Sequence, residues 1–210
     1  MQDSFGVFKT VANAARAEFI EKNSRFIGHI IPIRDEETAL VFIKQIKKEY
    51  YDATHNVFAY ITADGQTARY SDDGEPKGTA GLPVLEVIKK SGVSGACIVV
   101  TRYFGGTLLG AGGLVRAYAR AAQEALASAE IVTYEKFSVF EIVCSYANYQ
   151  KYSAIFPDFK AIVDSVEYCE QVKITVAVKD TDAEAFCARI TECGMGKDIL
   201  KKTDERLDRN

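Results

Sequence analysis

The segment Gly95–Arg120, GACIVVTRYFGGTLLGAGGLVRAYAR, carries the pattern that decides the fold of the first half of the chain. Its apolar start predicts a buried strand from Gly95 to Phe104, and its end predicts a helix from about Leu114 to Ala129. Unpaired N–H groups and the dipole at a helix N-terminus favour a bound anion, and glycines let the anion approach the main chain. A tight turn with close strand-to-helix packing explains the glycines equally well. The glycines concerned are Gly105, Gly106, Gly110, Gly112 and Gly113.

Length and composition predict a two-domain globular protein of the cytoplasm. The 210 residues are 48% hydrophobic and 26% charged, which is ordinary for a chain with a packed core. No apolar run is long enough to cross a membrane, and the N-terminus does not resemble a secretory signal, so no membrane partner is expected. The five cysteines include no Cys-x-x-Cys pair, which argues against a zinc or redox site.

The charge of the chain is unevenly distributed. Its net charge is −3, yet the stretch between Glu86 and Glu124 contains five basic residues and no acidic one. That stretch carries +5, which leaves −8 for the remainder, and it includes the glycine loop. The coincidence favours a surface for a phosphate-bearing partner over lysines that merely solvate a helix end.

Comparison with known phosphate-binding motifs excludes the two familiar nucleotide loops. Gly105 and Gly110 have the spacing of Walker glycines, but Ala111-Gly112 stands where Lys-Ser/Thr is required. No Gly-x-Gly-x-x-Gly phrase is present either. Arg116 and Arg120 are four residues apart on one helix face, where they could hold a phosphate or pair with carboxylates such as Glu124.

A second chemistry-rich segment, Arg69–Pro83, contains too much glycine and proline for a helix or strand and predicts a structured loop. Its carboxylates, Asp72, Asp73 and Glu75, lack the spacing of a calcium loop, and no metal or other cofactor is expected. We expect them to pair with Arg102 or Arg116, or to accept hydrogen bonds from turn amides. Lys77 and Thr79 complete the loop.

His55 is the only plausible base near these loops at neutral pH, although a lone histidine is more often structural. His29, in an apolar strand, is interpreted as a packing residue. No nucleophile motif such as Gly-x-Ser-x-Gly occurs, so no catalytic residue is assigned and an enzyme is the less favoured reading.

Elsewhere in the first half, Asp35 predicts the N-cap of a helix, and Asp64-Gly65 predicts the turn of a β-hairpin. The second half predicts the order β-α-β-β-α of a ferredoxin-like domain, with a last strand near 197–201. Thr181 and Glu184 are expected to form a capping box, and the charged tail 204–210 is expected to be frayed. The predicted domains are residues 1–131 and 132–210.

The segments Tyr70–Gly81 and Thr101–Tyr118 resemble the IMPACT family, and within it the bacterial YigZ-like proteins. Lys22-Asn-Ser-Arg-Phe and Ala53-Thr-His-Asn add to the resemblance, which extends over nearly the whole chain. It implies an α+β fold whose N-terminal domain is similar to the second domain of a small-subunit ribosomal protein. It also implies a C-terminal ferredoxin-like domain similar to the last domain of elongation factor G.

The family resemblance implies a role in regulating translation, without carrying over the protein partner of the eukaryotic relatives. We therefore expect a regulator that binds RNA, the ribosome or a ribosome-associated factor. The alternatives are an enzyme acting on a phosphorylated small molecule or nucleotide, and a module that binds a protein partner through its C-terminal domain. The candidate anion- or RNA-binding residues are His55, Asp72, Asp73, Glu75, Lys77, Thr79, Arg102, Tyr103, Gly105, Gly106, Gly110, Gly112, Gly113, Arg116 and Arg120.

Overall fold

The computed structural model describes residues 7–209. The chain is α+β and divides into two compact units: Phe8–Thr133, and the described residues from Tyr134 onward together with Val7. The first unit contains the elements β1 (Phe8–Val11), β2 (Ala15–Glu21), β3 (Ser24–Pro32), α1 (Glu36–Glu49), β4 (His55–Ile61), β5 (Ala68–Ser71), α2 (Gly81–Ser91), β6 (Ala96–Tyr103) and α3 (Ala111–Ala127).

The first unit is built on an antiparallel sheet of order β2-β3-β6-β4-β5 that is covered on both faces. Alternate residues of β6 point to opposite faces. Ile98 and Val100 pack with residues of α2 and α3, whereas Cys97 and Val99 pack with residues of α1. This double coverage explains the uninterrupted apolar run of β6, and burial raises the pKa of the Cys97 thiol.

A close approach fixes α3 against the sheet. A methyl group at Gly28, in β3, would lie 2.5 Å from the carbonyl oxygen of Ala121 in α3. Only glycine allows the helix to pack at this distance, so α3 is held against the sheet, next to the ends of β4 and β6 where the candidate site lies.

Several local predictions for this unit are confirmed. Asp35 caps α1 by accepting a hydrogen bond from the amide of Thr38 at 2.8 Å, and Gly65 has a φ of 69° in the hairpin between β4 and β5. The start of α3 differs from the prediction, because the helix begins at Ala111 and not near Leu114. Gly112 and Gly113 therefore belong to its first turn. The prediction also missed β1 and β2, which precede the first strong apolar run.

The second unit contains most of β7 (Ile131–Cys144), then α4 (Tyr146–Ile155), β8 (Ile162–Tyr168), β9 (Val172–Lys179), α5 (Ala183–Cys193) and β10 (Ile199–Arg209). Its strands pair antiparallel in the order β8-β9-β7-β10. This is the β-α-β-β-α-β order of ferredoxin-like domains. Its core contains Phe140, Ile174, Phe186 and Ile190.

Two predictions for the second unit are wrong. The capping box does not form, because Thr181 lies in a short 3₁₀ turn and Asp182 occupies the cap position of α5 with no side-chain cap hydrogen bond. The charged tail is not frayed over 204–209, since these residues pair with β7 as the end of β10. Ion pairs such as Lys136 Nζ to Glu205 Oε2, at 2.6 Å, accompany that pairing. Residue 210 lies outside the described residues.

Candidate functional site

A buried ion pair joins the two segments that the sequence singled out. Glu75, in the loop between β5 and α2, accepts a hydrogen bond at 2.5 Å from Nη1 of Arg102, near the end of β6. Both side chains are almost fully buried, at 3% and 6% exposure. Tyr118 of α3 donates to the same Glu75 oxygen at 2.7 Å, and burial together with the Glu75 charge raises the pKa of Tyr118. Arg102 is therefore neutralised inside the fold.

His55 begins β4 and lies beside this pair. Its Nδ1 is 2.7 Å from the carbonyl oxygen of Asp73. A carbonyl only accepts, so Nδ1 carries a proton. The Nε2 atom is 3.8 Å from Oε1 of Glu75, and the ring is half-buried. The Asp73 carbonyl thus holds the His55 ring in one orientation, with Nε2 directed toward Glu75.

The other carboxylates of the loop hold the backbone together. Asp72 accepts from the amides of Ala80 and Gly81 at the start of α2, and from that of Gly78. Asp73 accepts from the amide of Asn56 at 2.6 Å and pairs with Lys47. These contacts leave neither carboxylate as a ready metal ligand, and no group of three or more His, Cys, Asp or Glu residues fit to hold a metal occurs in the described chain.

The remaining candidates at the edge of the site differ in exposure. Thr79 is buried and donates to the carbonyl of Pro76 at 2.7 Å, whereas Lys77 is exposed. Tyr103 donates to Asp52 at 2.8 Å. The structure therefore does not gather all candidates at one surface: His55, Glu75 and Arg102 meet, but Tyr103 is engaged with Asp52.

The glycine loop leads into α3 with a bare helix N-terminus. Gly110 occupies the cap position at a φ of 72°, offers no side-chain cap, and is followed by a first turn without acidic residues. The first amide with an intrahelical bond is that of Leu114, to Gly110. The amides of residues 111–113 therefore have no partner among the described residues, which makes them donors for an anion.

Two of the loop glycines have different roles. A methyl group at Gly105 would overlap the backbone of Asn23, so this glycine permits the loop to pass against the β2–β3 turn. A methyl group at Gly112 would meet only Nη1 of Arg116, at an ordinary 3.6 Å. Glycine within a helix costs roughly 0.5–1 kcal/mol relative to alanine. The fold thus gains nothing from glycine at position 112, where the space above the backbone is open to a ligand.

The arginines of α3 differ in their contacts. Arg120 pairs with Glu124 at 2.7 Å and stacks over the ring of Phe19, with its Cζ 4.1 Å from the ring centre. Arg116 is exposed and has no ion-pair partner among the described residues. It lines a cleft of about 240 Å³, here called the cationic cleft, formed by Phe19, Glu21, Lys22, Leu109, Gly113, Arg116, Ala117 and Arg120.

A larger cleft, of about 400 Å³, lies at the other side of the α3 start. Its lining is mainly apolar, and it is here called the apolar cleft. It is formed by Thr54, His55, Glu75, Pro76, Arg102, Phe104, Leu108, Leu109, Gly110, Ala111 and Leu114. Leu109 lines both clefts, so they adjoin at the first turn of α3.

The sequence did not single out Lys22, Phe104, Leu108 or Tyr118 as site residues. A signal existed for Lys22, because it begins the segment Lys22-Asn-Ser-Arg-Phe that adds to the family resemblance. In the structure, Lys22 and Asn23 have positive φ and form the tight turn between β2 and β3. Tyr118 was not identifiable, since its role depends on a contact with Glu75, 43 positions away.

Comparisons with known proteins identify the family. The sequence model described as Impact N-terminal domain matches residues 22–126, and that of a domain of unknown function, DUF1949, matches residues 142–197. IMPACT family member YvyE of Bacillus subtilis is 37% identical over 194 residues, which span 92% of this chain and 89% of the relative. The chain belongs to the IMPACT family.

Other members support this assignment. IMPACT family member YigZ of Escherichia coli is 32% identical over 88% of this chain and 92% of its own. Protein IMPACT of Mus musculus is 35% identical over 43% of this chain and 30% of its own length. A crystal structure described as that of a hypothetical protein matches 95% of this chain and 98% of its own, with 29% identity and a TM-score of 0.61. No helix in the described residues is long and apolar enough to cross a membrane.

Proposed function

We propose that this IMPACT family member is a translation-linked regulatory protein that binds RNA, on the ribosome or with a ribosome-associated factor, through the first turn of α3. One observation carries the proposal: three backbone donors at the bare α3 N-terminus lie beside the exposed cations Arg116 and Lys22. The chain between Glu86 and Glu124, which includes this helix start, has no acidic residue, and among the described residues Glu21 is the one carboxylate that lines the cationic cleft. Backbone amides with unpaired cations are the chemistry that binds phosphate.

The charge of the chain supports a local phosphate site more than general attraction to nucleic acid. At −3 the protein as a whole repels RNA, so binding depends on the few cations at this surface. Arg102 does not contribute, because Glu75 neutralises it. Arg116 and Lys22 are the side chains expected to contact phosphates. Gly112 lets a phosphate approach the main chain, whose amides donate hydrogen bonds to it.

The family supports the connection with translation. As part of this proposal, we expect the first unit to be similar to the second domain of a small-subunit ribosomal protein. We expect the second unit to be similar to the last domain of elongation factor G. The corresponding test in a cell extract is co-sedimentation with ribosomes at low salt. Replacing Lys22 and Arg116 is expected to weaken it.

Titration of a single-stranded RNA by fluorescence anisotropy tests the phosphate contacts directly. Each contact contributes about 0.7 to the slope of log K against log salt, so Lys22→Gln with Arg116→Gln is expected to reduce the slope by about 1.4. Lys89→Gln with Lys90→Gln is the matched control, since it removes the same charge from the end of α2. An unchanged slope in the first pair, or an equal loss in the control, contradicts the proposal.

Gly112→Ala separates binding from folding. The added methyl group meets no backbone, so stability is expected to stay equal or to rise by up to about 1 kcal/mol. RNA affinity is expected to fall, because the methyl group occupies the space through which a phosphate reaches the amides. An unchanged affinity would show that the first turn of α3 is not the contact.

The second unit offers a surface for a protein partner. Strand β8 forms an edge of its sheet and is mostly exposed, and Tyr168 at its end stacks with exposed Tyr146 at a ring distance of 6.3 Å. An exposed edge can accept a strand from another chain. This second role would be supported by a pull-down in which one partner protein still binds after ribonuclease treatment and no longer binds to the Val163→Lys variant.

A further inference from the structure

We propose that the apolar cleft receives one unstacked base of a single-stranded RNA whose neighbouring phosphates lie at the first turn of α3. This inference rests on the proposed function and specifies the form of RNA that the site accepts. A duplex keeps its bases stacked, so it could use the phosphate contacts but not the cleft.

The outer part of the apolar cleft presents apolar surface to solvent. Phe104 is 45% exposed and Leu108 is 82% exposed, on the loop between β6 and α3. The more buried Leu109 and Leu114 continue the lining inward, and exposed Pro76 adds to its apolar surface. Large apolar side chains grouped around a concave surface mark a binding site more often than scattered ones do. An aromatic ring accessible to solvent is also the usual platform for an RNA base.

The inner part of the cleft is polar and buried, which suits the edge of a base. His55, Glu75 and Arg102 form this wall. The Arg102 side chain is only 6% exposed, and its Nε has no hydrogen-bond partner among the described residues, although its two terminal nitrogens are paired. A buried N–H without a partner is uncommon. The protein therefore leaves Arg102 incompletely satisfied next to His55 and Glu75, the other polar residues of this wall.

The phosphate-binding groups adjoin this cleft. Gly110 and Ala111, at the start of α3, line the apolar cleft itself, whereas Gly113 and Arg116 line the cationic cleft. One turn of helix therefore presents its free amides between an apolar recess and two exposed cations. Apolar surface next to anion-binding groups complements a nucleotide unit of RNA, which carries a flat apolar base and an anionic phosphate. An apolar segment of a protein would leave the cations and amides unused.

The test compares three ligands on the full chain: a single-stranded RNA, its duplex, and a mononucleotide. The wild-type protein is expected to bind the single strand more tightly than the duplex. Phe104→Ala is expected to weaken single-strand binding by about 5- to 150-fold, the range for losing one base stack. Duplex binding should change little. Leu108→Ser is the second variant, since its side chain is mostly exposed and its replacement leaves the core intact.

Leu40→Ser on α1 is the matched control, because Leu40 is also an exposed leucine, at 51%, and lines neither cleft. Photocrosslinking of an RNA that contains 4-thiouridine adds a direct readout. Crosslinked peptides are expected to come from 104–114, and Phe104→Ala should reduce their yield.

The outcomes separate this inference from the proposed function. The base site is overturned if single strand and duplex bind equally and neither Phe104→Ala nor Leu108→Ser changes that binding. If Lys22→Gln with Arg116→Gln still weakens binding in that case, the proposed RNA binding stands. Absence of salt-sensitive RNA binding overturns the proposed function itself. A mononucleotide that binds as tightly as the oligonucleotide, and loses affinity with Phe104→Ala, assigns the cleft to a free nucleotide and also overturns the inference.

Discussion

Replacing Glu75 by leucine is expected to destabilise the first unit severely. The change removes the buried acceptor of Arg102 and Tyr118 and leaves a guanidinium that is 6% exposed without its counter-charge. Breaking a buried pair in this way costs about 3–5 kcal/mol. Domains of this size are typically stable by only about 5–15 kcal/mol, so the loss is a large part of the total.

The triple variant Glu75→Leu, Arg102→Met, Tyr118→Phe tests whether the cost comes from the orphaned charge. Replacing a whole buried pair with apolar residues of similar size is often neutral or stabilising, so most of the lost stability is expected to return. Glu75→Gln is the intermediate control, because its amide oxygen can still accept hydrogen bonds while the charge is absent. Its loss should fall between those of the other two variants.

Urea unfolding followed by far-ultraviolet circular dichroism is the suitable assay, since the chain contains no tryptophan for fluorescence. Each variant is measured in the full chain. A loss below about 1 kcal/mol for Glu75→Leu would refute the argument that the pair is buried and essential. A triple variant as unstable as the single one would refute the argument that an uncompensated charge causes the loss.

Three further changes test the fold around the site. Gly105→Ala is expected to cost about 3 kcal/mol or more in urea unfolding, because its methyl group overlaps the Asn23 backbone, and wild-type stability would contradict that close approach. Burial lowers the pKa of His29 from 6.5 to about 4. Between these two pH values only the unfolded state takes up the proton, so the free energy of unfolding is expected to fall by about 3 kcal/mol as the pH drops from 6.5 to 4. Urea midpoints at several pH values should fall more steeply with falling pH in the wild type than in His29→Gln. Asp72→Ala is expected to cost about 1–2 kcal/mol in thermal unfolding by removing the acceptor for the Gly81 amide at the start of α2, and an unchanged melting temperature would contradict it.

Two local sequence signals were confirmed, whereas a third, the capping box of Thr181 and Glu184, was wrong. The Asp35 cap and the Asp64-Gly65 turn each depend on residues within a few positions of one another, so the sequence alone was sufficient. The start of α3 was placed too late because glycine is a weak helix former, which argued against Gly112 and Gly113 as helical residues. In the structure the helix begins at Ala111, directly after the cap residue Gly110. The charged end of β10 had no apolar alternation to reveal it. Its pairing with β7 is accompanied by an ion pair between Lys136 and Glu205, which are distant in the sequence.

Long-range pairing limited the prediction of the site. The sequence left open whether the loop carboxylates pair with Arg102 or Arg116, and only the fold decides, because Glu75 and Arg102 are 27 positions apart. Arg116 and Arg120 were treated alike on one helix face. They differ because Arg120 pairs with Glu124, as the sequence suggested, and also because β2, which was not predicted, contributes Phe19 and Glu21 around Arg120.

The Asp72–Thr79 loop and the glycine loop before α3 have different roles, and this difference explains the position of the proposed site. The Asp72–Thr79 loop uses its carboxylates internally, on backbone amides, on Lys47 and on Arg102. Because these carboxylates are already paired within the fold, they do not compete with an incoming anion for the donors at the start of α3. The amides at the start of α3 and the side chain of Arg116 have no partner among the described residues, so an acidic chain can still present donors to phosphate at this place.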